Sequence, residues 1–211
     1  LRVLGAGERV VLATSGGRQV LILGAGFDTR GERLAMPGLA YFEVDHPATQ
    51  ARKREAMGAP AGVRYLAWHF ERDALSELRG ALAKLGHDGA ARTLVLWEGV
   101  TMYLTARAID ETLAMVRGLG AGSRLVCNYF DARRMHGLRW MLRPERVFVG
   151  LVGEPFRSGF DPTTLREFLS ARGFELERDE SYREVAGRMY GEQHARRGQR
   201  SRRMAVARVA G

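Results

Sequence analysis

The stretch Gln19–Arg30, which reads QVLILGAGFDTR, constrains the fold of this chain more than any other segment. Its four residues VLIL are apolar without alternation, as in a strand that is buried on both faces. The tripeptide GAG at 24–26 then allows the backbone to turn sharply and to approach a ligand, because glycine has no Cβ. A buried parallel strand that ends in such a turn predicts an open α/β sheet with a cofactor at the turn.

The rest of the chain alternates between strand-like and helical patterns, which predicts parallel strands connected by helices. Five strands come first, and two late strands are expected to pair antiparallel at the sheet edge. The sequence therefore predicts a Rossmann-like, seven-stranded, mostly parallel sheet with an antiparallel last strand and helices on both faces. The strands predicted after the first are 41–44, 63–67, 93–97, 123–128, 174–178 and 204–209.

Three residues are expected to start helices. Asp73 precedes an amphipathic leucine stripe, Thr105 precedes another apolar stripe, and Asp161 precedes a proline. The helix after Asp161 is expected to run to Arg172, where Gly173 ends it.

A length of 211 residues predicts one domain over 1–211, with the basic segment 131–160 as a lid or substrate-binding insertion. The chain begins without methionine, so its N-terminal segment is expected to be short or truncated. No apolar run approaches the roughly 20 residues that cross a bilayer. The single cysteine, Cys127, excludes an internal disulfide and indicates a reducing cytoplasm, and its apolar neighbours predict a buried thiol.

The net charge is +9, and arginines cluster at 133–146 and 196–203. Such a charge can bind nucleic acid through phosphate contacts, attract an acidic small molecule, or form a solvated surface. Nucleic acid is the least favoured of these, because no aromatic and basic platform for RNA is recognisable.

The residues around the glycine turn select among cofactors. The segment GAGFDT lacks the third glycine of the dinucleotide fingerprint. Asp28 would repel a pyrophosphate, whereas it can pair with an ammonium. S-adenosylmethionine carries an ammonium and a sulfonium but no phosphate, so the turn predicts this cofactor rather than NAD.

Two further acids follow predicted strands. Asp45 lies about 20 residues after the turn, where an acid accepts hydrogen bonds from ribose hydroxyls; it can also be the N-cap of the helix at Pro47. Glu98 follows the strand 93–97 and is expected at the same sheet edge, unless it is a surface acid. Tyr103 can either pack or direct its hydroxyl at a substrate.

With these pieces placed, the sequence resembles the leucine carboxyl methyltransferase-like family, which includes many bacterial O-methyltransferases of secondary metabolism. The matching segments are LGAGFDTR at 23–30, FEVDHP at 42–47, HFERDAL at 69–75, WEGVTMYLT at 97–105, EPFRSGFDP at 154–162 and GFELERD at 173–179. The resemblance covers nearly all of residues 19–210. It implies a class I methyltransferase fold that binds S-adenosyl-L-methionine.

The resemblance also implies where the cofactor binds. The glycine turn would hold the methionine part and Asp45 the ribose, while Glu98 would lie near either the amino-acid end or the adenosine. The implied cofactor-binding residues are Gly24, Ala25, Gly26, Asp28, Arg30, Asp45, His69, Phe70, Glu98 and Gly99.

Two departures from the family pattern concern this site. Where the family usually has an aspartate that holds adenine, this chain has His69, which accepts through one nitrogen only when neutral. Phe70 can still donate its backbone N–H. The family also has a longer segment before the glycine turn that supplies a basic residue for the cofactor carboxylate, for which Arg2, Arg9 or Arg18 are candidates here.

The sequence thus predicts an S-adenosylmethionine-dependent O-methyltransferase acting on a small, acidic molecule, with a carboxylate favoured on the resemblance alone. No metal-ligand cluster or Ser-His-Asp arrangement is recognisable, and an ionised carboxylate requires no general base. Tyr103 and Asn128 are the catalytic candidates, and Tyr103 and Tyr129 the substrate-contact candidates. The alternatives are an RNA methyltransferase and a catalytically silent scaffold protein with the cofactor fold.

Overall fold

A computed structural model of the chain describes residues 18–58, 60–134, 157–196 and 199–211. Within these ranges a seven-stranded sheet has the order β3-β2-β1-β4-β5-β7-β6. β7 pairs antiparallel with both of its neighbours, and the other strands run in one direction. The strands are β1 (Gln19–Leu23), β2 (Ala40–Asp45), β3 (Val63–Ala67), β4 (Thr93–Trp97), β5 (Arg124–Phe130), β6 (Phe174–Ser181) and β7 (Arg202–Val209).

Helices connect these strands. They are α1 (Arg30–Arg33), α2 (Pro47–Met57), α3 (Leu78–Lys84), α4 (Ala106–Arg117), α5 (Leu165–Ser170), α6 (Tyr182–Tyr190) and α7 (Glu192–Ala195). Short 3-10 turns lie at Leu75–Glu77, Thr101–Tyr103 and Ala132–Arg134. None of the helices in the described part of the chain is long and apolar enough to cross a bilayer.

Alternate residues of each central strand pack on opposite faces of the sheet. Leu21 and Phe42 face a large core with the leucines of α3 and the apolar stripe of α4. Ile22 and Tyr41 face a second, smaller core on the other side. Lys53 of α2 reaches Glu43, the next residue of β2 on that second face, so helices cover both faces as predicted.

The predicted strands are confirmed, with β2, β5, β6 and β7 longer than expected. The helix starts are only partly confirmed. Thr105 caps α4 through its side chain, which accepts from the Ala108 N–H. Asp73 instead accepts from the His69 N–H, and the segment after it forms a 3-10 turn before α3.

The helix predicted after Asp161 is also shorter than expected. Asp161 accepts from the backbone and hydroxyl of Thr163, and this local turn delays the start of α5 to Leu165. The region predicted as an insertion, 131–160, lies mostly outside the described residues.

The order of the strands reverses between β1 and β4. From β1 the chain builds outward through β2 and β3, and it returns to the other side of β1 for β4 and β5. In open α/β sheets the crevice at the carboxyl ends of the strands at such a reversal is where ligands bind. The glycine turn follows β1 and Glu98 follows β4, so both flank this crevice.

Candidate functional site at the carboxyl edge of the sheet

The glycine turn closes β1 against β2. The N–H groups of Gly24 and Ala25 both donate to the Val44 carbonyl, at 2.8 and 3.2 Å. Gly24 and Gly26 have φ angles of +70° and +49°, which side chains rarely adopt. A Cβ on Gly24 would overlap Val100, whereas a Cβ on Gly26 would meet nothing within 4 Å. The first glycine is therefore required by packing, and the second leaves open space at the crevice.

Asp45 lies at the end of β2 and is tied to that turn. Its carboxylate accepts from the backbone N–H of Gly26 and, at 2.5 Å, from that of His46. The N-cap of α2 is His46, whose Nδ1 accepts from the Ala48 N–H, so the structure excludes the helix-cap alternative for Asp45. A carboxylate has about four acceptor positions, and two here remain for a ligand on the partly exposed side.

Arg30 connects two acids across the crevice. Its guanidinium contacts Asp28 at 2.5–2.6 Å and Glu98 at 2.6 Å. The side chains of Asp28 and Glu98 are 13% exposed and that of Arg30 is 9% exposed. Asp28 was expected to pair with a ligand ammonium, and the structure places it on Arg30. The three charges leave one net negative charge at the edge of the crevice.

A second ion pair lies beneath the turn and was missed from the sequence. Lys53 and Glu43 form a salt bridge in which both side chains are only 2% exposed. Lys53 also donates to the Asp28 carbonyl at 2.5 Å, so it ties β2 and α2 to the loop after the turn. Burial raises the pKa of Glu43, and Lys53 opposes that rise. The signal available in the sequence was an acid within the apolar strand YFEVD.

His69 and Phe70 follow β3, on the far side of Asp45. His69 is half-buried, and its ring contacts that of His46 edge to face at 4.9 Å between centroids. Its Nδ1 accepts from the Glu71 N–H at 3.3 Å, so the neutral ring carries its hydrogen on Nε2. His69 therefore presents a donor where an aspartate would present an acceptor. Phe70 is buried, and its N–H has no acceptor within the described ranges.

Asn128, a catalytic candidate, is held at both ends of its amide. Its Oδ1 accepts from the Gly99 N–H at 2.7 Å, and its Nδ2 donates to the Tyr182 hydroxyl at 2.8 Å. Asn128 thus fixes the loop after β4 to the start of α6. Tyr182, which the sequence analysis did not identify, has its pKa raised by burial. Tyr103, the other candidate, is half-buried against Met102 and Phe130.

Tyr129 is not at the crevice, which corrects its prediction as a substrate contact. It is 1% exposed. Its hydroxyl donates to Asp179 at 2.9 Å and accepts from Arg203 at 3.1 Å. Burial, with the nearby Asp179 charge, raises the pKa of Tyr129. The cause is the alternation of β5, which sends Asn128 and Tyr129 to opposite faces.

The basic residue expected for the cofactor carboxylate is not Arg18. Arg18 precedes β1, and the five residues of that strand place it about 16 Å from the glycine turn at roughly 3.3 Å per residue. Arg2 and Arg9 lie outside the described residues. Within the described residues no group of three or more His, Cys, Asp or Glu side chains could hold a metal ion.

Comparisons with known proteins identify the family of the chain. Residues 5–117 match the family described as leucine carboxyl methyltransferase. A protein of Streptomyces coelicolor, provisionally named an S-adenosyl-L-methionine-dependent methyltransferase, is 37% identical over 138 residues, which are 58% of this chain and 47% of that protein. The chain belongs to the leucine carboxyl methyltransferase family, and it spans about half the length of the curated relatives that it matches.

Solved structures support the same fold. A provisionally named methyltransferase of Thermobifida fusca has a TM-score of 0.69 at 17% identity, covering 100% of this chain and 80% of that one. The 1,6-didemethyltoxoflavin-N1-methyltransferase of Burkholderia thailandensis, solved with bound S-adenosylhomocysteine, has a TM-score of 0.60 at 15% identity, covering 100% of this chain and 79% of that one. The Rossmann-like methyltransferase fold predicted from the sequence is thereby confirmed.

Proposed function

We propose that this chain binds S-adenosyl-L-methionine in the crevice between β1 and β4 and transfers its methyl group to an oxygen of a small molecule. The observation that carries the proposal is the position of Asp45, held against the glycine turn with two acceptor positions left over. Ribose hydroxyls are donors of the kind that such a carboxylate accepts.

The other residues of the crevice fit the same cofactor. The open space at Gly26 admits a ligand close to the backbone. The cluster of Asp28, Arg30 and Glu98 carries one net negative charge, which suits the ammonium and sulfonium of the methionine part. The Phe70 N–H and the His69 ring would contact the adenine. Glu43 and Lys53 would act from beneath, by holding the turn in place.

A carboxylate is the favoured acceptor. The cofactor, when bound, would supply an electrophilic methyl group on its sulfonium. An acceptor oxygen in line with the C–S bond would form a bond to the methyl carbon as the C–S bond breaks, and S-adenosylhomocysteine would leave. A carboxylate is ionised at neutral pH, so the chain need only orient it and exclude water. In the described ranges no histidine is hydrogen-bonded to a carboxylate as a general base would be, which supports an acceptor that needs none. We also propose that this reaction belongs to secondary metabolism and that the protein works in a reducing, cytoplasmic environment.

The test has a binding step and a transfer step. Calorimetric titration with S-adenosylhomocysteine should show binding, and no binding at millimolar concentration would contradict the proposal. Incubation with methyl-labelled cofactor and a panel of small carboxylic acids should then yield a labelled ester that mild alkali cleaves. An alkali-stable product would identify a phenol, alcohol or nitrogen acceptor instead. Labelled RNA would favour the alternative RNA methyltransferase.

A further inference from the structure

A second concave site lies on the other half of the same sheet edge. It is a groove of about 690 Å³ between the end of β6, helices α6 and α7, and the start of β7. Six arginines line this arginine groove together with three acids, Asp131, Glu184 and Glu192. The arginines are Arg133, Arg134, Arg183, Arg196, Arg200 and Arg203. Six positive and three negative side chains leave an excess of three positive charges among the lining residues. Asp161 and Asp179, which pair with Arg133 and Arg203 from outside the lining, reduce that excess to one.

Three of these arginines are neutralised within the protein. Arg203 contacts Asp179 at 3.1 Å, and Arg133 and Arg134 contact Asp131 at 3.1 and 3.3 Å. Their positions are set by the fold and leave limited capacity for a ligand. They form the wall of the groove next to β5.

The other three, Arg183, Arg196 and Arg200, have no ion pair or side-chain hydrogen bond with any residue that the structure describes. Glu184, the nearest acid in sequence to Arg183, is occupied by Ser181 in the capping box of α6. Glu192 lines the same groove, and no ion pair joins it to these three arginines among the described residues. Guanidinium groups that line one groove without ion pairs repel one another, and an anion would relieve that repulsion. The planar guanidinium is also the side chain best matched to carboxylate and phosphate oxygens.

The groove is connected to the crevice. β5 and β6 end, and the antiparallel β7 begins, at the edge where the glycine turn lies. Ser181 and Arg183 line the groove, and Tyr182 between them accepts a hydrogen bond from Asn128, which in turn holds the Gly99 N–H. Tyr182 and Asn128 therefore connect the groove to the loop after β4 that borders the crevice.

We propose that the arginine groove binds an anionic group of the methyl acceptor, a carboxylate or phosphate distinct from the oxygen that is methylated. The acceptor is then a small molecule with at least two anionic groups. Its role as acceptor rests on the function proposed above. The volume is typical of small-molecule sites, and the cations line one concavity. A nucleic acid would instead require phosphate contacts spread along a surface.

Calorimetric titration of the whole chain with pyrophosphate and with citrate tests the proposal without a cofactor. Both anions should bind, and Arg183→Gln and Arg200→Gln should each weaken the binding about tenfold, as expected for one charge-assisted hydrogen-bonding group. Arg92→Gln is the matched control, because Arg92 is exposed before β4 at the opposite edge of the sheet. It should leave the affinity unchanged.

Three outcomes would overturn the proposal. The first is absence of binding at millimolar anion, and the second is equal weakening by Arg92→Gln, which would mean a general charge effect. The third is tighter binding of a single-stranded RNA oligonucleotide, with a salt dependence that reports several phosphates. Arg200→Lys, which keeps the charge, provides a further check, since it should recover part of the affinity if the groove is intact.

Titration with S-adenosylhomocysteine separates this proposal from the previous one. Binding of S-adenosylhomocysteine without binding of pyrophosphate or citrate would overturn the anion site and leave the proposed function standing. Binding of the anions alone would contradict the proposed function, and with it the assignment of the anion as part of a methyl acceptor.

Discussion

The crevice at β1 and β4 and the arginine groove at β6 and β7 share one edge of the sheet but carry opposite charge. In the crevice, Asp28 and Glu98 share one cation, Arg30, and Asp45 is stabilised by backbone N–H groups. In the groove, Arg183, Arg196 and Arg200 form no ion pair with any described residue, although Glu184 and Glu192 line the groove too. The charged groups of the crevice are therefore held by contacts within the protein, whereas three cations of the groove are available to a ligand.

This contrast matches the two ligands of the proposed reaction. A cofactor with an ammonium and a sulfonium suits the acidic crevice, and an anionic acceptor suits the basic groove. Opposite fields side by side would draw the two molecules to adjacent positions on the sheet edge.

The largest effect is expected for Lys53→Met. This change leaves Glu43 buried without its cation, which should lower the free energy of unfolding by about 3–5 kcal/mol. Lys84→Met, at an exposed position of α3, should cost little. Urea denaturation measures both, and equal stability of the two variants would contradict a structural role for the buried pair.

The same variant should have a characteristic pH dependence. Burial already raises the pKa of Glu43 above its ordinary value of 4.5, and loss of Lys53 should raise it further. Because the folded state then binds the proton more tightly than the unfolded state, stability should fall as pH rises from 4.5 through the raised pKa. Lowering the pH should therefore recover stability, and Glu43→Gln in the Lys53→Met background should remove that dependence.

Asp45→Ala tests whether the crevice binds the cofactor through this carboxylate. Loss of two charge-assisted hydrogen bonds should weaken S-adenosylhomocysteine binding roughly 100-fold. Asp110→Ala, which removes an exposed acid of α4 that pairs with Arg172, is the control and should bind normally. Near-ultraviolet circular dichroism checks the fold, and unchanged affinity in a folded Asp45→Ala protein would remove Asp45 from the site.

Gly26→Ala tests whether the open space at Gly26 serves a ligand rather than the packing of the turn. Its Cβ would meet no atom of the described residues within 4 Å, so the cost in stability should be only the roughly 1–2 kcal/mol of a left-handed alanine. The affinity for S-adenosylhomocysteine should still fall about tenfold, because the methyl group occupies the open space. Gly24→Ala should be the less stable of the pair, since its Cβ overlaps Val100. The reverse order of melting temperatures would contradict this assignment.

The smallest effect concerns Cys127 on β5, the strand between the two regions. Burial raises the pKa of this thiol to about 12, so it should remain protonated and unreactive in the folded protein at pH 8. A thiol reagent should label it only in denaturant. Rapid labelling of the native protein would show that the sheet opens between the crevice and the groove.

Much of the fold was predictable because its signals are local. Unalternating apolar strands, the glycine turn and the side-chain cap at Thr105 each depend on residues close in sequence. The predicted helix starts that proved wrong are those where a second local hydrogen bond competes with the helix cap. Asp73 and Asp161 can cap helices, but each satisfies another nearby backbone group instead, and such competition depends on small differences in chain path.

The candidate site was predicted less completely. Asp28 indicated a ligand ammonium and Asp45 the hydroxyls of a ribose, while Glu98 was expected at the same sheet edge. Strand order brings all three to that edge. The sequence did not show that Arg30 joins two of them, that Lys53 reaches Glu43, or that Tyr129 faces away from the crevice. Each of these depends on which face of a strand or helix a side chain takes after packing.

The sequence by itself determined the parallel sheet, the glycine turn and the presence of acids after the strands, because hydrophobic periodicity and backbone freedom are properties of short segments. Only the tertiary structure decided how the charges are grouped. Residues far apart in the chain, such as Arg133, Arg183 and Arg200, become neighbours because β7 runs antiparallel between β5 and β6. Coulomb interactions depend on distances in space, so the arginine groove and the acidic crevice emerge only after folding.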